Sequence, residues 1–262
     1  MLETCVLTEK EIIQKDETDV TVILFLFKNP NFIGISKPYD IDLCGKKIWE
    51  WVKLACSGYE IKIAHCTPDS DILALVKPLL TKNKKYTLVL FSDTPLLTKS
   101  TIDNILSFVR MRDINVLNLI RGYVFNTEYI KTAENIKSGI IEKFNETEFK
   151  VVDNPKKLEK ITQILKDKII NYHLSNGVII TSANVVQIDA DVTIESGSII
   201  EPFNNLKGRT YIGKNCRLES GNTIIDSIFG DGCIIKSSYI FGSKIDKNMV
   251  IGPFEKIVNK IN

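Results

Sequence analysis

The sequence is poor in the residues that bind zinc. It contains two histidines, and none of its six cysteines belongs to a Cys-x-x-Cys pair. Because structural zinc sites take four Cys or His ligands at short spacings, no zinc site is expected. Scattered cysteines are typical of reduced, mostly buried thiols, and we therefore expect a cytoplasmic protein. The cysteines are Cys5, Cys44, Cys56, Cys66, Cys216 and Cys233.

The sequence also lacks a charge excess and a long apolar run. Its 34 basic and 32 acidic side chains leave a net charge of +2. We therefore expect no nucleic-acid partner and no membrane partner. The apolar run Val20–Phe27 is too short to span a bilayer, and the residues before it are acidic rather than basic, unlike a signal peptide. This run predicts a buried strand.

The last third of the chain has a six-residue period, which neither an α-helix nor an ordinary strand sustains. Such a period predicts a parallel β-helix in which each aliphatic side chain points into a narrow core. The alternative is an ordinary all-β domain with chance spacing. The seven aliphatic residues that stand six apart are Ile188, Ile194, Ile200, Leu206, Ile212, Leu218 and Ile224.

After Ile224 the aliphatic ladder changes phase. We predict that it resumes with two further sets of inward-pointing isoleucines. The isoleucines stand six residues apart within each set, and five residues separate the two sets. These are Ile228, Ile234 and Ile240, followed by Ile245, Ile251 and Ile257.

The first half of the chain alternates strand-like and helix-like segments, which predicts a doubly wound α/β domain with a parallel sheet. In such sheets, ligands bind beyond the carboxyl ends of the strands. Strands are predicted at 20–27, 60–65 and 86–91, and another within 115–125. Helices are predicted at 46–56, at 69–80 with Asp69 or Ser70 as cap, and at 98–111 with Thr98 or Ser100 as cap.

An amphipathic helix joins the two patterns. It ends at Ser175-Asn176-Gly177, a natural helix stop. The predicted domains are therefore an α/β domain at 1–155, a connector helix at 156–176 and a β-helix at 177–262.

Asp93 directly follows the apolar strand at 86–91. This position places its carboxylate at the carboxyl edge of the sheet, where α/β enzymes hold metal-bound phosphates. The alternative is an aspartate that caps a turn or a helix. Position alone leaves both interpretations open.

Several motifs occur in the order and at the spacing seen in one enzyme family. Residues 88–97 (LVLFSDTPLL) resemble the LVLYGDVPLI motif of sugar-nucleotide pyrophosphorylases. Residues 173–178 (HLSNGV), 211–216 (YIGKNC) and 251–254 (IGPF) resemble HMxxGV, TxIGxxC and IGPFAxLRPG. The chain therefore resembles the bifunctional N-acetylglucosamine-1-phosphate uridyltransferase/glucosamine-1-phosphate acetyltransferase family, well over 150–257 and more weakly over 35–125.

This resemblance implies a nucleotidyltransferase-like domain followed by a left-handed β-helix. It also implies a Mg²⁺ ion held by Asp93 and Asn154, the counterparts of the aspartate of GDVPL and the asparagine of GxNxR. The alternative for Asn154 is a turn residue before Pro155. The lysine of the family's phosphate loop corresponds to Lys37, the candidate catalytic residue, although Lys28 is a second candidate and an exposed-loop role is a third interpretation.

The chain departs from the family in the loop after its first strand. The family's LAAGxGTRM loop cradles nucleotide phosphates with backbone N–H groups and an arginine. Here residues 24–34 contain one glycine and no arginine, and Pro30 removes a donor. The family's uracil-recognition motif is not found, and the later β-helix coils that bind acetyl-CoA have no counterpart in this sequence.

The sequence therefore predicts a sugar-1-phosphate nucleotidyltransferase-like protein with impaired or lost uridyltransferase activity and no acetyltransferase activity. If the protein is active, the resemblance implies Mg²⁺-dependent transfer of a uridylyl group to N-acetylglucosamine-1-phosphate. The alternative is a non-catalytic protein that binds a sugar nucleotide or serves as a trimeric scaffold or regulator. The expected partners are a nucleotide sugar or sugar phosphate and, through the β-helix, two further copies of the chain.

Overall fold

The computed structural model describes residues 19–136, 139–142 and 144–259. Cys5 and the outer ends of the two predicted domains lie outside the described residues. The described chain forms an α/β unit of residues 19–43 and 47–161 and a β-helix unit of residues 44–46 and 162–259. The division falls within a helix that the sequence assigns to a connector.

The α/β unit alternates strands and helices. In chain order its elements, including the connector helix, are β1 (Val20–Phe27), β2 (Asp42–Leu43), β3 (Lys46–Lys47), α1 (Ile48–Ala55), β4 (Glu60–Cys66), α2 (Ile72–Val76), β5 (Tyr86–Phe91), α3 (Lys99–Arg112), β6 (Val116–Leu119), β7 (Gly122–Asn126), α4 (Thr127–Thr132), β8 (Ile140–Ile141) and α5 (Pro155–Ser175).

The central sheet has six strands in the order β4-β1-β5-β7-β6-β8. Strands β4, β1 and β5 are parallel, whereas β7 runs antiparallel to both β5 and β6. The prediction of a wholly parallel sheet is therefore wrong at β7. The physical reason is the two-residue connection Ile120-Arg121, which is long enough for a hairpin but too short for a parallel crossover.

Both faces of the sheet are buried. Leu24 and Leu88 pack with α1 and α3 on one face, while Phe25 and Val89 pack with α2 on the other. Side chains alternate across a strand, so neighbouring residues of β1 and β5 enter opposite cores. This explains why both strands are almost entirely apolar in the sequence, with one threonine each, Thr21 and Thr87.

The helix caps only partly follow the prediction. Thr98 caps α3 through its side chain, as predicted. At α2 the cap is Asp71, which accepts hydrogen bonds from the backbone N–H groups of Leu73 and Ala74, so the prediction of Asp69 or Ser70 is wrong. The predicted helix at 69–80 is correspondingly shorter and ends in a 3-10 turn at Lys77–Leu79.

The β-helix unit consists of short parallel strands stacked into three sheets, and the predicted left-handed β-helix is confirmed. The sheets have the orders β10-β13-β16-β19-β22, β11-β14-β17-β20 and β21-β18-β15-β12-β9. Their strands are β9 (Ile179–Ile180), β10 (Gln187–Ile188), β11 (Thr193–Ile194), β12 (Ile199–Ile200), β13 (Asn205–Lys207), β14 (Tyr211–Ile212), β15 (Arg217–Leu218), β16 (Thr223–Ile225), β17 (Ile228–Phe229), β18 (Ile234–Ile235), β19 (Tyr239–Phe241), β20 (Lys244–Ile245), β21 (Val250–Ile251) and β22 (Lys256–Val258).

The first seven aliphatic positions of the ladder, Ile188 to Ile224, are all buried as predicted. The next two are not. Ile228 is 49% exposed, whereas its neighbour Phe229 is fully buried and pairs with Ile212 of the preceding coil. Ile235 likewise replaces Ile234 in the core. The sequence suggested Ile228 and Ile234 because they are aliphatic, but a shortened coil shifts the inward position by one residue, which reverses the face of a strand.

Candidate functional site

The candidate site lies at the carboxyl edge of the central sheet, where β1 and β5 end. Ser92 follows β5, and its backbone N–H donates to the carbonyl oxygen of Phe25 at 2.8 Å. The Ser92 hydroxyl accepts a hydrogen bond from the backbone N–H of Phe27 at 2.9 Å. These bonds hold the turn after β5 against the end of β1. Asp93 is therefore fixed at the predicted edge, where it is 5% exposed.

Both carboxylate oxygens of Asp93 accept hydrogen bonds from Arg121. The Arg121 Nε lies 3.1 Å from Oδ1, and Nη2 lies 2.6 Å from Oδ2. Arg121 stands in the turn between β6 and β7, directly before Gly122, which is paired with Leu90 at the end of β5. The antiparallel pairing of β7 with β5 thus brings the arginine to the same edge as the aspartate.

Two aromatic rings flank the guanidinium of Arg121. Its carbon lies 4.1 Å from the ring centre of Phe91 and 4.5 Å from that of Phe27. Such cation–π contacts fix the plane of the guanidinium and strengthen when water is excluded. Sequence reasoning missed Arg121, because only the strand pairing shows that it reaches Asp93.

Burial and charge act in opposite directions on Asp93. The pKa of its carboxyl group is raised, chiefly by burial and further by the nearby Asp153, and the hydrogen bonds and charge of Arg121 offset this only in part. The neighbouring Cys66 thiol at the end of β4 has its pKa raised to about 12, chiefly by burial. Cys66 is therefore protonated at neutral pH and is a poor nucleophile.

The segment that contains Asn154 is held beside Asp93, because the backbone N–H of Val152 donates to the carbonyl oxygen of Asp93 at 2.7 Å. The side chain of Asn154, however, forms hydrogen bonds with its own neighbours in the chain. Asn154 Oδ1 accepts from the backbone N–H of Lys157 at 2.9 Å, and Nδ2 donates to Asp153 at 2.7 Å. Asn154 therefore caps the first turn of α5, a role that the sequence did not suggest, and its role as a metal ligand stays a prediction.

Lys37 lies in the loop between β1 and β2. Its side chain is exposed, and its backbone carbonyl accepts from Asp40 in a short turn. Lys28, the second candidate, is also exposed and donates through its backbone N–H to Cys66. Among the described residues the basic partner of Asp93 is Arg121 rather than either lysine, and the catalytic role of Lys37 stays a prediction.

The loop at 28–37 fills the space beside Asp93. Phe32 is 4% exposed and lines the cleft together with Phe27, Tyr39, Asp93 and Val152. The cavity that these side chains enclose has room for about one water molecule.

The donor set does not fit a Mg²⁺ ion as arranged. Mg²⁺ takes carboxylate and amide oxygens in a near-octahedral shell and favours net negative charge. Here both oxygens of Asp93 face a guanidinium, and the oxygen of Asn154 faces a backbone N–H. Among the described residues, no cluster of three or more His, Cys, Asp or Glu side chains is suited to a metal ion.

No helix in the described part of the chain has the length and apolar character needed to cross a membrane. No protein-family model matches the chain. Among solved structures, that of Rv0371c from Mycobacterium tuberculosis H37Rv aligns with a TM-score of 0.40 and 9% identity, covering 56% of this chain and 98% of that one.

Curated relatives are more similar in sequence. The bifunctional protein GlmU of Clostridium novyi (strain NT) is 37% identical over 142 residues, 53% of this chain and 31% of that protein. The bifunctional protein GlmU of Clostridioides difficile (strain 630) is 33% identical over 132 residues, 50% of this chain and 29% of that protein. The matches thus span less than a third of each relative. They confirm the resemblance predicted from the motifs: over about half of its length, the chain is similar to the bifunctional GlmU proteins.

Proposed function

We propose that the α/β unit is a sugar-1-phosphate nucleotidyltransferase-like domain whose uridyltransferase turnover is reduced or absent. The observation that carries this proposal is the ion pair of Asp93 with Arg121, because it occupies the carboxylate that the resemblance assigns to the reaction. The ligand class that fits the resemblance is a nucleotide sugar or a sugar phosphate.

The chemistry explains why these departures matter. In uridylyl transfer, an oxygen of the sugar phosphate attacks the α-phosphorus of UTP, and pyrophosphate leaves. The protein contributes mainly positioning and stabilisation of the developing charge. Residues 28–37 contribute one glycine and no arginine, and Phe32 packs where phosphates would approach Asp93. The loss of several donors removes several kcal/mol of transition-state stabilisation, and about 1.4 kcal/mol corresponds to tenfold in rate.

The direct test is pyrophosphate release from UTP and N-acetylglucosamine-1-phosphate in the presence of Mg²⁺. We expect release that is absent or slow, close to that of an Asp93→Ala variant of the same chain. Fast turnover that is lost in this control would contradict the proposal. A thermal shift with UDP-N-acetylglucosamine separates a binding domain from an inert one, because a ligand of the folded state raises the melting temperature by mass action.

A second proposal concerns assembly: the β-helix unit forms a homotrimer. An outward row on one sheet supports it. Ile179 and Ile199 lie on one side of Arg217 in this row, and Ile234 and Val250 lie on the other. Ile179 and Val250 are 52% and 60% exposed, and Arg217 is paired with Glu201. Exposed apolar side chains in such a row favour contact with another protein surface over contact with water.

Light scattering at micromolar concentration tests the assembly. We expect the mass of three chains for the wild type and a smaller mass for Val250→Glu, which places a charge in the row. A monomeric wild type would contradict the trimer without bearing on the proposal for the α/β unit.

A further inference from the structure

The strongest feature that neither the resemblance nor the sequence motifs assign is the position of Arg121. Its guanidinium meets both oxygens of Asp93, with a side chain that is 27% exposed against 6% for Asp93. The rings of Phe27 and Phe91 hold the guanidinium in place. A cation therefore already lies at the carboxylate to which the resemblance assigns a divalent metal ion.

The geometry of the pair works against a second cation. The guanidinium engages the carboxylate in a two-point fork, the strongest arrangement for an arginine and a carboxylate. A metal ion binds carboxylate oxygen at about 2.0 to 2.1 Å for Mg²⁺ and would approach the same two oxygens. It would meet a fixed positive charge in a site from which water is largely excluded, where charge repulsion is weakly screened.

The second predicted ligand, Asn154, is also engaged by the protein, beside an ion pair that is more exposed than that of Asp93. Asp153 pairs with Lys157 across one turn of α5, with Oδ2 and Nζ 2.5 Å apart. Asn154, between them in the chain, uses its oxygen to cap that helix. Each acidic side chain near the predicted metal position thus has a basic partner from the protein itself.

We infer that Arg121 is an internal cation that replaces the divalent metal ion at Asp93, so that the α/β unit is a metal-independent form of the nucleotidyltransferase-like domain. Asp93 acts in this chain as a positioning residue that holds the arginine at the sheet edge. The inference rests on the resemblance that places a cation at Asp93, and it holds whether or not the domain binds a nucleotide.

The test is a Mn²⁺ titration of the full chain, followed by the electron paramagnetic resonance signal of the free ion. Mn²⁺ is the probe because it favours the same oxygen ligands as Mg²⁺. We expect no binding at Asp93 in the wild type. Arg121→Gln keeps a hydrogen-bond donor of similar length but removes the charge, and we expect it to bind Mn²⁺ at least tenfold more tightly than the wild type.

Two controls assign the effect. The gain should disappear in Arg121→Gln/Asp93→Asn, because the freed carboxylate is the ligand. Arg110→Gln breaks a matched but exposed arginine–aspartate pair, with Asp19, and should leave Mn²⁺ binding unchanged.

Two outcomes would overturn the inference. One is that the wild type binds Mn²⁺ and that Asp93→Asn abolishes this binding. This outcome can be observed even if the Arg121 variant does not fold. The other is a folded Arg121→Gln protein, with native tryptophan fluorescence, that gains no affinity for Mn²⁺. Neither outcome depends on turnover of UTP, so failure here is distinguishable from failure of the proposed function.

Discussion

The two units bury their polar groups in different ways. At the sheet edge of the α/β unit, a charged pair, Asp93 and Arg121, is held among aromatic rings. In the β-helix unit, the buried polar groups are mainly neutral and repeat from coil to coil. Asn222, for example, donates to Asn204 of the coil before it at 2.9 Å and accepts from the backbone N–H of Ser238 in the coil after it.

This difference separates a site from a scaffold. A neutral side chain that satisfies backbone groups in successive coils has a structural explanation and requires no ligand. A buried carboxylate carries a desolvation cost that a protein retains where charge has a use, or offsets with a partner.

The comparison can be tested unit by unit, because both tryptophans, Trp49 and Trp51, lie in the α/β unit. Tryptophan fluorescence therefore reports the unfolding of that unit. Hydrogen exchange at individual amides reports the β-helix strands, and a far-UV circular dichroism transition that fluorescence does not follow is assigned to the same unit.

The largest expected effect is in the β-helix core. Phe229→Ala removes a fully buried ring and should lower the free energy of unfolding by about 3–5 kcal/mol. Ile228→Ala, at the half-exposed neighbouring position, should cost about 0.5 kcal/mol. Urea unfolding followed by circular dichroism measures both, with an unchanged fluorescence transition as control. A larger loss for Ile228→Ala would mean that the inward register is wrong.

An effect of similar size is expected at the charged edge of the α/β unit. Arg121→Ala leaves the Asp93 carboxylate buried without a partner and should cost about 3–5 kcal/mol. The exposed pair of Arg110 with Asp19 provides the matched control, and Arg110→Ala should cost about 0–1 kcal/mol.

Urea unfolding followed by tryptophan fluorescence measures both arginine variants. Arg121→Met combined with Asp93→Leu should recover most of the loss, because no charge then remains buried. Equal costs for Arg121→Ala and Arg110→Ala would show that burial of the Asp93 pair has no energetic consequence.

A smaller, pH-dependent effect is expected at the end of α5. His173 is 2% exposed, its Nδ1 has no hydrogen-bond partner, and burial lowers the pKa of its imidazole to about 4. Between this value and the ordinary 6.5, the unfolded chain binds a proton that the folded chain does not. The stabilisation is therefore complete above pH 6.5 and is lost as the pH falls toward 4, by about 3 kcal/mol in total.

The measurement is the urea midpoint of the β-helix unit at pH 7 and at pH 4.5 by circular dichroism. His173→Leu should reduce the difference between the two midpoints. The control is His65→Leu, at the exposed histidine of β4, which should leave the difference unchanged. A pH dependence that persists in His173→Leu would assign it to other groups.

The smallest predicted effect concerns the asparagine ladder, the hydrogen-bonded pair Asn204 and Asn222 in successive coils. Asn222→Ala removes the side chain that connects three coils and leaves buried backbone groups without partners, at a cost of about 1–3 kcal/mol. Thr223→Ala, at the outward position beside it, should stay within about 0.5 kcal/mol. Hydrogen exchange at the amide of Ser238 locates the change. If this amide stays as protected as in the wild type, the ladder does not stabilise the coil.

The sequence predicted the parts of the fold that depend on local pattern. Strands β1 and β5 lie at the predicted residues, and the ladder is correct through Ile224. The sequence-based prediction was wrong where the choice between adjacent residues decides which side chain is buried or which one caps a helix. Ile228 and Phe229 are adjacent apolar residues, and the sequence has no local signal for the shorter coil that turns Phe229 inward. At Asp71 three polar residues competed for one cap.

At the candidate site, too, local features could be predicted from the sequence and long-range contacts could not. The sequence by itself determined that Asp93 follows a buried strand, that the loop after the first strand is poor in glycine, and that a hexapeptide repeat follows, because each is a property of neighbouring residues. Only the tertiary structure decided that β7 returns antiparallel beside β5 and brings Arg121 to Asp93. The two residues are far apart in the chain, and the pairing of strands alone determines that their charges meet.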